Sequence, residues 1–119
     1  MAAIRTFRDL LVWQKAHELV LSIYRLTKGF PPEERFGLIP QLRRAVVSVA
    51  ANIAEGFVRK GKLDKLHFYN MAKGSLEECK YYLILAQDLG YTSDVAGETK
   101  LAEEVGRLLY RLIKSIEPS

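Results

Sequence analysis

The chain has 119 residues, of which 49% are hydrophobic and 27% are charged. This composition excludes a disordered or collagen-like chain, and the length predicts one domain, residues 1–119, around a single modest core. The net charge of +4 and the pI of about 9.3 permit binding to nucleic acid, although many basic proteins bind none.

Three features bear on the cellular location that the sequence predicts. The longest nearly apolar run, AVVSVAANIA, has about ten residues, whereas a membrane-spanning helix needs about 20. The start of the chain, MAAIRTFRDL, lacks the apolar run of a signal peptide. The single cysteine, Cys79, cannot form an internal disulfide, and its apolar helical neighbours predict a core residue in a reducing compartment. We therefore expect a cytoplasmic protein without a membrane partner.

The first predicted helix begins near Thr6 or Asp9, because TFRD matches the capping-box pattern. It runs to about Lys28, and we expect Gly29 to end it in the left-handed conformation. The following stretch, FPPEERFGLIP, is rich in proline and contains a glycine. These residues predict a connector with one short helical turn.

The second predicted helix has Pro40 in its first turn, where a missing N–H group is tolerated. It runs to about Arg59, and Gly61 stops it. The third predicted helix covers residues 63–89 and stops at Gly90. Both helices are long enough to cross a small domain from one end to the other.

Gly74 lies inside the third helix, where glycine costs about 1 kcal/mol relative to alanine. We expect a close helix approach at this position. Ser93 or Asp94 caps the fourth predicted helix, which runs to about Ile116. No stretch alternates with period two for long enough to predict a strand. The sequence therefore predicts an all-α fold, an antiparallel up-down-up-down four-helix bundle.

The second helix carries more apolar surface than one core-facing stripe requires. Its polar strip consists of Gln41, Arg44, Ser48, Asn52 and Glu55. Its second apolar face consists of Val47, Ala50, Ala51, Ala54 and Val58. The strip is interpreted as a hydrogen-bonded seam or a solvated face rather than a catalytic site. The second face is covered either by helices of the same chain or by another subunit, and we favour an oligomer interface.

The sequence contains no pattern that indicates catalysis. His17 and His67 do not belong to a Glu-x-x-His pair or to an HExxH motif, so we expect no metal site. Ser75, within GSLEE, has neither a phosphate loop nor a nucleophile elbow around it. We therefore expect a protein that is not an enzyme and has no cofactor.

An up-down bundle brings the turn between helices two and three to the same pole as both chain ends. Eight basic residues gather at this pole: Arg5, Arg8, Arg59, Lys60, Lys62, Lys65, Arg111 and Lys114. Four acidic residues oppose them: Asp9, Glu55, Asp64 and Glu117. Such a pole suits phosphate groups, and the binding that it supports depends strongly on salt. The predicted phosphate contacts are the first six of these basic residues, with Arg43 and Arg44 as further candidates for either phosphate or subunit contact.

Several segments together resemble one bacterial family. LVWQKA, FPPEERFGL, QLRRA-x-x-S-x-x-x-NIAEG and GSLEE, all within residues 7–113, resemble the four-helix-bundle proteins encoded in intervening sequences of 23S ribosomal RNA genes. The resemblance implies a ring-like homopentamer of antiparallel bundles. It also implies kinship with the accessory variability determinant proteins of diversity-generating retroelements, which are basic, pentameric, nucleic-acid-binding partners of a reverse transcriptase.

The sequence is compatible with two functions. The first is a non-enzymatic oligomeric protein that binds structured RNA, ribosomal or other, or DNA through the basic pole. The alternative is an oligomeric scaffold or adaptor that engages a protein partner such as a reverse transcriptase. Salt-dependent binding to RNA would favour the first function, whereas a protein partner retained at high salt and after nuclease treatment would favour the second.

Overall fold

The computed structural model describes residues 3–118, and within that range it contains helices and no strand. The four α-helices are α1 (Leu11–Thr27), α2 (Leu38–Val58), α3 (Lys62–Asp88) and α4 (Ala96–Ile116). Short 3-10 turns at Phe7–Asp9 and Pro32–Glu34 precede α1 and α2, respectively. The predicted all-α fold with four helices is confirmed.

Each helix packs against its neighbours in a four-membered arrangement. α2 contacts α1 and α3, and α4 contacts the same two helices from the other side. Partner residues along α2 and α3 run in opposite directions: Gln41 with Tyr82, Ser48 with Ser75, and Gly56 with Tyr69. The same holds for α1 and α4: Lys15 with Glu104, and Ser22 with Glu98. These pairings are consistent with an up-down-up-down bundle.

The start of α1 differs from the prediction. The capping box is present, since Thr6 Oγ1 accepts a hydrogen bond from Arg8 N and Asp9 Oδ2 accepts one from Thr6 N. It caps the 3-10 turn, however, and Leu10 is extended, with ψ of 127°, before α1 begins. The predicted start at Thr6 or Asp9 is therefore wrong. The physical reason is tertiary, because the 3-10 turn packs against α2, where Phe7 lines a groove with Ala51 and Ala54.

The end of α1 also differs from the prediction. No non-glycine residue between 3 and 118 has a positive φ, and among the glycines only Gly90 does, at 79°. The predicted left-handed Gly29 is therefore wrong, because α1 closes through i→i+3 bonds such as Phe30 N to Thr27 O. At Gly90 the prediction is confirmed, and Tyr91 N donates to Ala86 O at 2.9 Å in a Schellman-type end.

The predicted close approach at Gly74 is wrong. This residue is exposed, and a Cβ atom added to it would meet no other atom within 4 Å. The close approach occurs at Gly56 in α2, where an added Cβ would lie 2.5 Å from Tyr69 Cε1. Periodicity does not distinguish the two glycines, because the difference depends on which helix each one faces.

The connector between α1 and α2 is fixed by one carboxylate. Glu34 accepts hydrogen bonds from the Tyr91 hydroxyl at 2.5 Å and from Leu38 N at 2.9 Å. These bonds join the connector to the first residue of α2 and to the turn before α4. They also hold the pKa of Glu34 below its ordinary value of 4.5, and the bond from Tyr91 is the larger cause.

Acid should weaken this connection. A carboxyl group whose folded-state pKa is lowered stabilises the fold above its unfolded pKa, and this contribution is lost as the pH falls through the folded value. We therefore expect Glu34→Gln to lower the free energy of unfolding at pH 7 and to have a smaller effect near pH 3. Urea unfolding at the two pH values measures both quantities. An equal loss at both would show that the charge of Glu34 contributes nothing.

Candidate nucleic-acid interface

The turn between α2 and α3 places several predicted phosphate contacts next to one another. α2 ends at Val58, and Arg59 is extended, with φ of −73° and ψ of 144°. α3 begins at Lys62 after Gly61, which lacks a side chain that could cap the helix. Lys60 and Lys62 are both exposed, and neither side chain makes a hydrogen bond or an ion pair within residues 3–118.

Arg59 and Lys65 are used by the chain itself. The Arg59 guanidinium pairs with Glu55 at 2.8 Å and lies 4.7 Å from the centre of the Phe68 ring. Lys65 is half-buried, and its Nζ donates to the backbone oxygens of Gly56 at 3.1 Å and Phe57 at 2.7 Å. Lys65 therefore satisfies carbonyl groups at the end of α2, where a cation is favoured.

The N-terminal segment lies against the same part of α2. The 3-10 turn at Phe7–Asp9 contacts α2, and Phe7 lines a groove with Ala51 and Ala54 from the C-terminal half of that helix. Arg5 and Arg8 flank Phe7, and both side chains are exposed. Neither makes an ion pair within the part of the chain that the structure describes.

Arg43 and Arg44 do not join this group. They lie in the first half of α2, and Arg43 is sixteen residues before Arg59, which corresponds to about 24 Å along a helix. The Arg43 Nε donates to Thr27 Oγ1 at 2.8 Å, and its guanidinium stacks on Tyr24 at 4.5 Å. Arg44 is exposed. The predicted set of basic residues is therefore divided between the two ends of α2.

The predicted subunit face is partly covered by the chain itself. Ala50 is only 8% exposed and Ala54 is half-buried, because α1 packs beside them. Val47, Ala51 and Val58 remain exposed, Val58 to 64%. Between α1 and α2 these small side chains leave an open apolar groove of about 270 Å³.

The polar strip of α2 forms a seam with α3. The Ser48 and Ser75 hydroxyls lie 2.9 Å apart, and Asn52 Nδ2 donates to the Ser48 backbone oxygen at 2.9 Å. Gln41 Oε1 accepts a hydrogen bond from the Tyr82 hydroxyl at 2.9 Å. The interpretation as a hydrogen-bonded seam is confirmed for Gln41 and Ser48, whereas Arg44 and Glu55 are exposed and belong to a solvated face.

Comparison with known proteins now decides the family. The family model for 23S rRNA-intervening sequence proteins matches residues 8–111, nearly the whole chain. The chain belongs to this family. No curated protein matches it.

A solved structure resembles this 23S rRNA-intervening sequence protein in both fold and sequence. It is the crystal structure of a protein with unknown function from the S23 ribosomal protein family of Bacteroides thetaiotaomicron. The TM-score is 0.81 at 26% sequence identity, and the match covers 90% of this chain and 98% of the other. The implied kinship with accessory variability determinant proteins stays a prediction.

Two further candidates for chemistry, Cys79 and His17, lie on different helices, α3 and α1. Cys79 is fully buried, as predicted, and burial followed by the charge of Glu78 raises the pKa of its thiol to about 12. His17 is exposed and stacks on Trp13. Among residues 3–118 no group of three or more His, Cys, Asp or Glu side chains could hold a metal ion.

No helix in the same range is long and apolar enough to cross a membrane.

The structure also reveals a basic cluster that the sequence did not. Lys28 and Arg35 line one cavity together with Arg43 and Arg44, at the end of the bundle opposite the α2–α3 turn. A formal charge count does not single out this end, because five acidic residues also belong to it: Glu33, Glu34, Asp88, Asp94 and Glu98. The antiparallel pairing of α1 and α2 could have indicated this cluster, because it places the end of α1 beside the start of α2.

Proposed function

We propose that this 23S rRNA-intervening sequence protein is a non-enzymatic oligomer that binds RNA or DNA through one basic surface. The basic surface consists of Arg5, Arg8, Lys60 and Lys62. One observation carries the proposal: all four side chains are exposed, and none has an acidic partner within residues 3–118. Unpaired cations are free to exchange counterions for phosphate groups, which is the main source of sequence-independent affinity.

The backbone beside these side chains supports the proposal. α3 begins next to Lys60, and Gly61 provides no side-chain cap for the first N–H groups of the helix. The N-terminal end of a helix carries partial positive charge and uncapped N–H donors, both of which favour phosphate. Arg59 and Lys65 add positive charge nearby, although their side chains already have partners in the protein.

Oligomerisation would multiply these contacts. The residues of the second α2 face that α1 leaves exposed, Val47, Ala51 and Val58, offer an apolar contact to another subunit. Each additional subunit repeats the basic surface, and linked sites bind one nucleic acid more tightly than separate ones. A homopentamer is the assembly that the family resemblance implies.

Binding to a structured RNA should weaken steeply with salt. The four phosphate contacts of one subunit predict a slope of log affinity against log salt of about −2.8 to −3.6, or about a 50- to 150-fold loss between 50 and 200 mM, and each further subunit that contacts the RNA makes the slope steeper. In the double variant Lys60→Gln/Lys62→Gln, we expect the slope to decrease by about two, or one unit for each lost contact. Fluorescence anisotropy over a salt series measures both values.

The matched control removes the same charge elsewhere. Lys73 and Lys100 are exposed and lie outside the basic surface, in α3 and α4, respectively. We expect Lys73→Gln/Lys100→Gln to leave the salt slope nearly unchanged. Equal slopes for the two double variants, or an affinity that does not change with salt, would contradict the proposal.

A protein partner is the second candidate function. Tyr81 and Ile84 on the outer side of α3 are 56% and 57% exposed, which is unusual for large apolar side chains so close together. An oligomeric scaffold that engages a protein such as a reverse transcriptase would use a surface of this kind. A partner that co-purifies after nuclease treatment at high salt, and is lost with Tyr81→Ser/Ile84→Ser, would support this function.

A further inference from the structure

A cavity of about 710 Å³ opens between the end of α1, the connector and the start of α2. Four of its lining residues are basic: Lys28, Arg35, Arg43 and Arg44. Its apolar lining includes Tyr24, Phe30, Pro32, Ile39 and Pro40. Its volume falls within the range of about 300–1,000 Å³ that is typical of small-molecule sites.

No carboxylate lines this cavity. Glu34, in the connector, does not line the cavity, and its two carboxylate oxygens accept hydrogen bonds from the Tyr91 hydroxyl and from Leu38 N. The four basic residues form no ion pair within residues 3–118. An open site with four basic side chains and no carboxylate in its lining attracts anions.

Arg43 is held in position by buried groups. Thr27 is 1% exposed; its hydroxyl accepts the hydrogen bond from Arg43 Nε and donates one to Ile23 O at 2.8 Å. A second bond, from Arg43 Nη2 to Tyr24 O, is longer at 3.4 Å. Of the five N–H donors of the guanidinium, three therefore have no partner in the described part of the chain. An arginine held in this way binds a phosphate with little loss of side-chain entropy.

The rest of the lining defines the second half of the ligand. On the apolar side, Tyr24 and Pro32 are exposed and Ile39 is half-buried, so these side chains can make apolar contact with a ring. The first N–H group of α2, at Leu38, is already bonded to Glu34, so the positive charge of the site comes from the four basic residues. Phosphate on the basic side and a ring on the apolar side are the two parts of a nucleotide.

We propose that this cavity binds the phosphate and base of one nucleotide, with Arg43 and Arg44 on the phosphate. The nucleotide is either free or the 5′-phosphorylated end of a nucleic acid, since both present the same chemistry. The site lies about 24 Å along α2 from Arg59 and is therefore separate from the basic surface. It does not depend on the function proposed above.

Titration calorimetry at low salt tests the site with adenosine 5′-monophosphate, adenosine, and a short oligonucleotide with or without a 5′-phosphate. We expect the monophosphate, the 5′-phosphorylated oligonucleotide or both to bind, and adenosine not to bind. In the double variant Lys28→Gln/Arg44→Gln, the dissociation constant of the bound phosphorylated probe should rise by about tenfold or more, because the loss of one charge-assisted hydrogen bond weakens binding by about tenfold. Both side chains are exposed, so the fold should persist, which circular dichroism checks.

Two controls separate this site from general electrostatic attraction. Arg25→Gln removes a neighbouring exposed charge of α1 that does not line the cavity, and should leave binding unchanged. Lys60→Gln/Lys62→Gln should also leave it unchanged, even if binding to structured RNA is lost. Binding of the monophosphate alone would indicate a free nucleotide, and binding of the phosphorylated oligonucleotide alone would indicate a nucleic-acid end. Three results would overturn the proposal: binding of neither phosphorylated probe, equal binding of the two oligonucleotides without binding of the monophosphate, or equal loss with Arg25→Gln.

Discussion

Replacement of Gly56 by alanine is expected to lower the free energy of unfolding by about 1–3 kcal/mol, as overpacking of a dense core does. The new Cβ would lie 2.5 Å from Tyr69 Cε1 and 2.8 Å from Tyr69 Cδ1. Tyr69 is 2% exposed and cannot move its ring into solvent without opening the contact between α2 and α3. Urea unfolding followed by circular dichroism measures the change.

Gly74→Ala is the matched control for this prediction. Gly74 also lies inside a long helix, but an added Cβ would meet no atom within 4 Å. Alanine in a helix interior is favoured over glycine by about 1 kcal/mol, so this variant should be more stable than the natural chain. The same substitution is thus expected to have opposite signs at the two positions. A stabilising Gly56→Ala would show that the Tyr69 ring is not held where the structure places it.

Ala51→Glu is expected to convert the proposed oligomer into smaller species while leaving the helical content unchanged. Ala51 is exposed in the subunit and lies between the exposed Val47 and Val58 along α2. A charge placed there meets water in the isolated subunit but would be buried without a partner in a subunit interface. Light scattering coupled to size exclusion measures the mass, and circular dichroism measures the helix content.

Ala96→Glu provides the comparison for the assembly experiment. Ala96 is exposed at the first residue of α4, where an acidic side chain is compatible with the helix dipole. The Ala96→Glu substitution introduces the same charge away from the second α2 face, and we expect the oligomer to keep the mass of the natural protein. If Ala51→Glu has the mass of the natural protein, the second α2 face is not the subunit contact and the oligomer must use another surface.

The helices were predictable from the sequence because their signals are local. Gly90 ends α3 in the left-handed conformation. The Asp94 carboxylate accepts a hydrogen bond from Ala96 N at 2.8 Å at the start of α4, but the N-cap is Val95, so the predicted cap at Ser93 or Asp94 is wrong by one residue. These features depend on residues within one or two turns of the chain. The start of α1 was missed because the 3-10 turn packs against α2, a tertiary contact that no capping pattern describes.

The candidate site was predictable only in outline. The sequence showed which residues are basic and which end of a bundle collects them. It did not show that Lys65 binds the backbone oxygens of α2 or that Arg59 pairs with Glu55, whereas Lys60 and Lys62 stay free. A formal charge count treats these four cations alike, although their ability to meet phosphate depends on the partners that the fold provides.

The sequence by itself determined the number of helices, most of their boundaries and the family, since periodicity, caps and turn residues act over a few positions. Only the tertiary structure decided which glycine is a close contact and which cations share a cavity. Gly56 faces the Tyr69 ring, whereas Gly74 faces open space. Lys28 and Arg44 line the same cavity because α1 and α2 pack side by side. Such relationships join residues far apart in the chain, and they exist only after packing has chosen one arrangement.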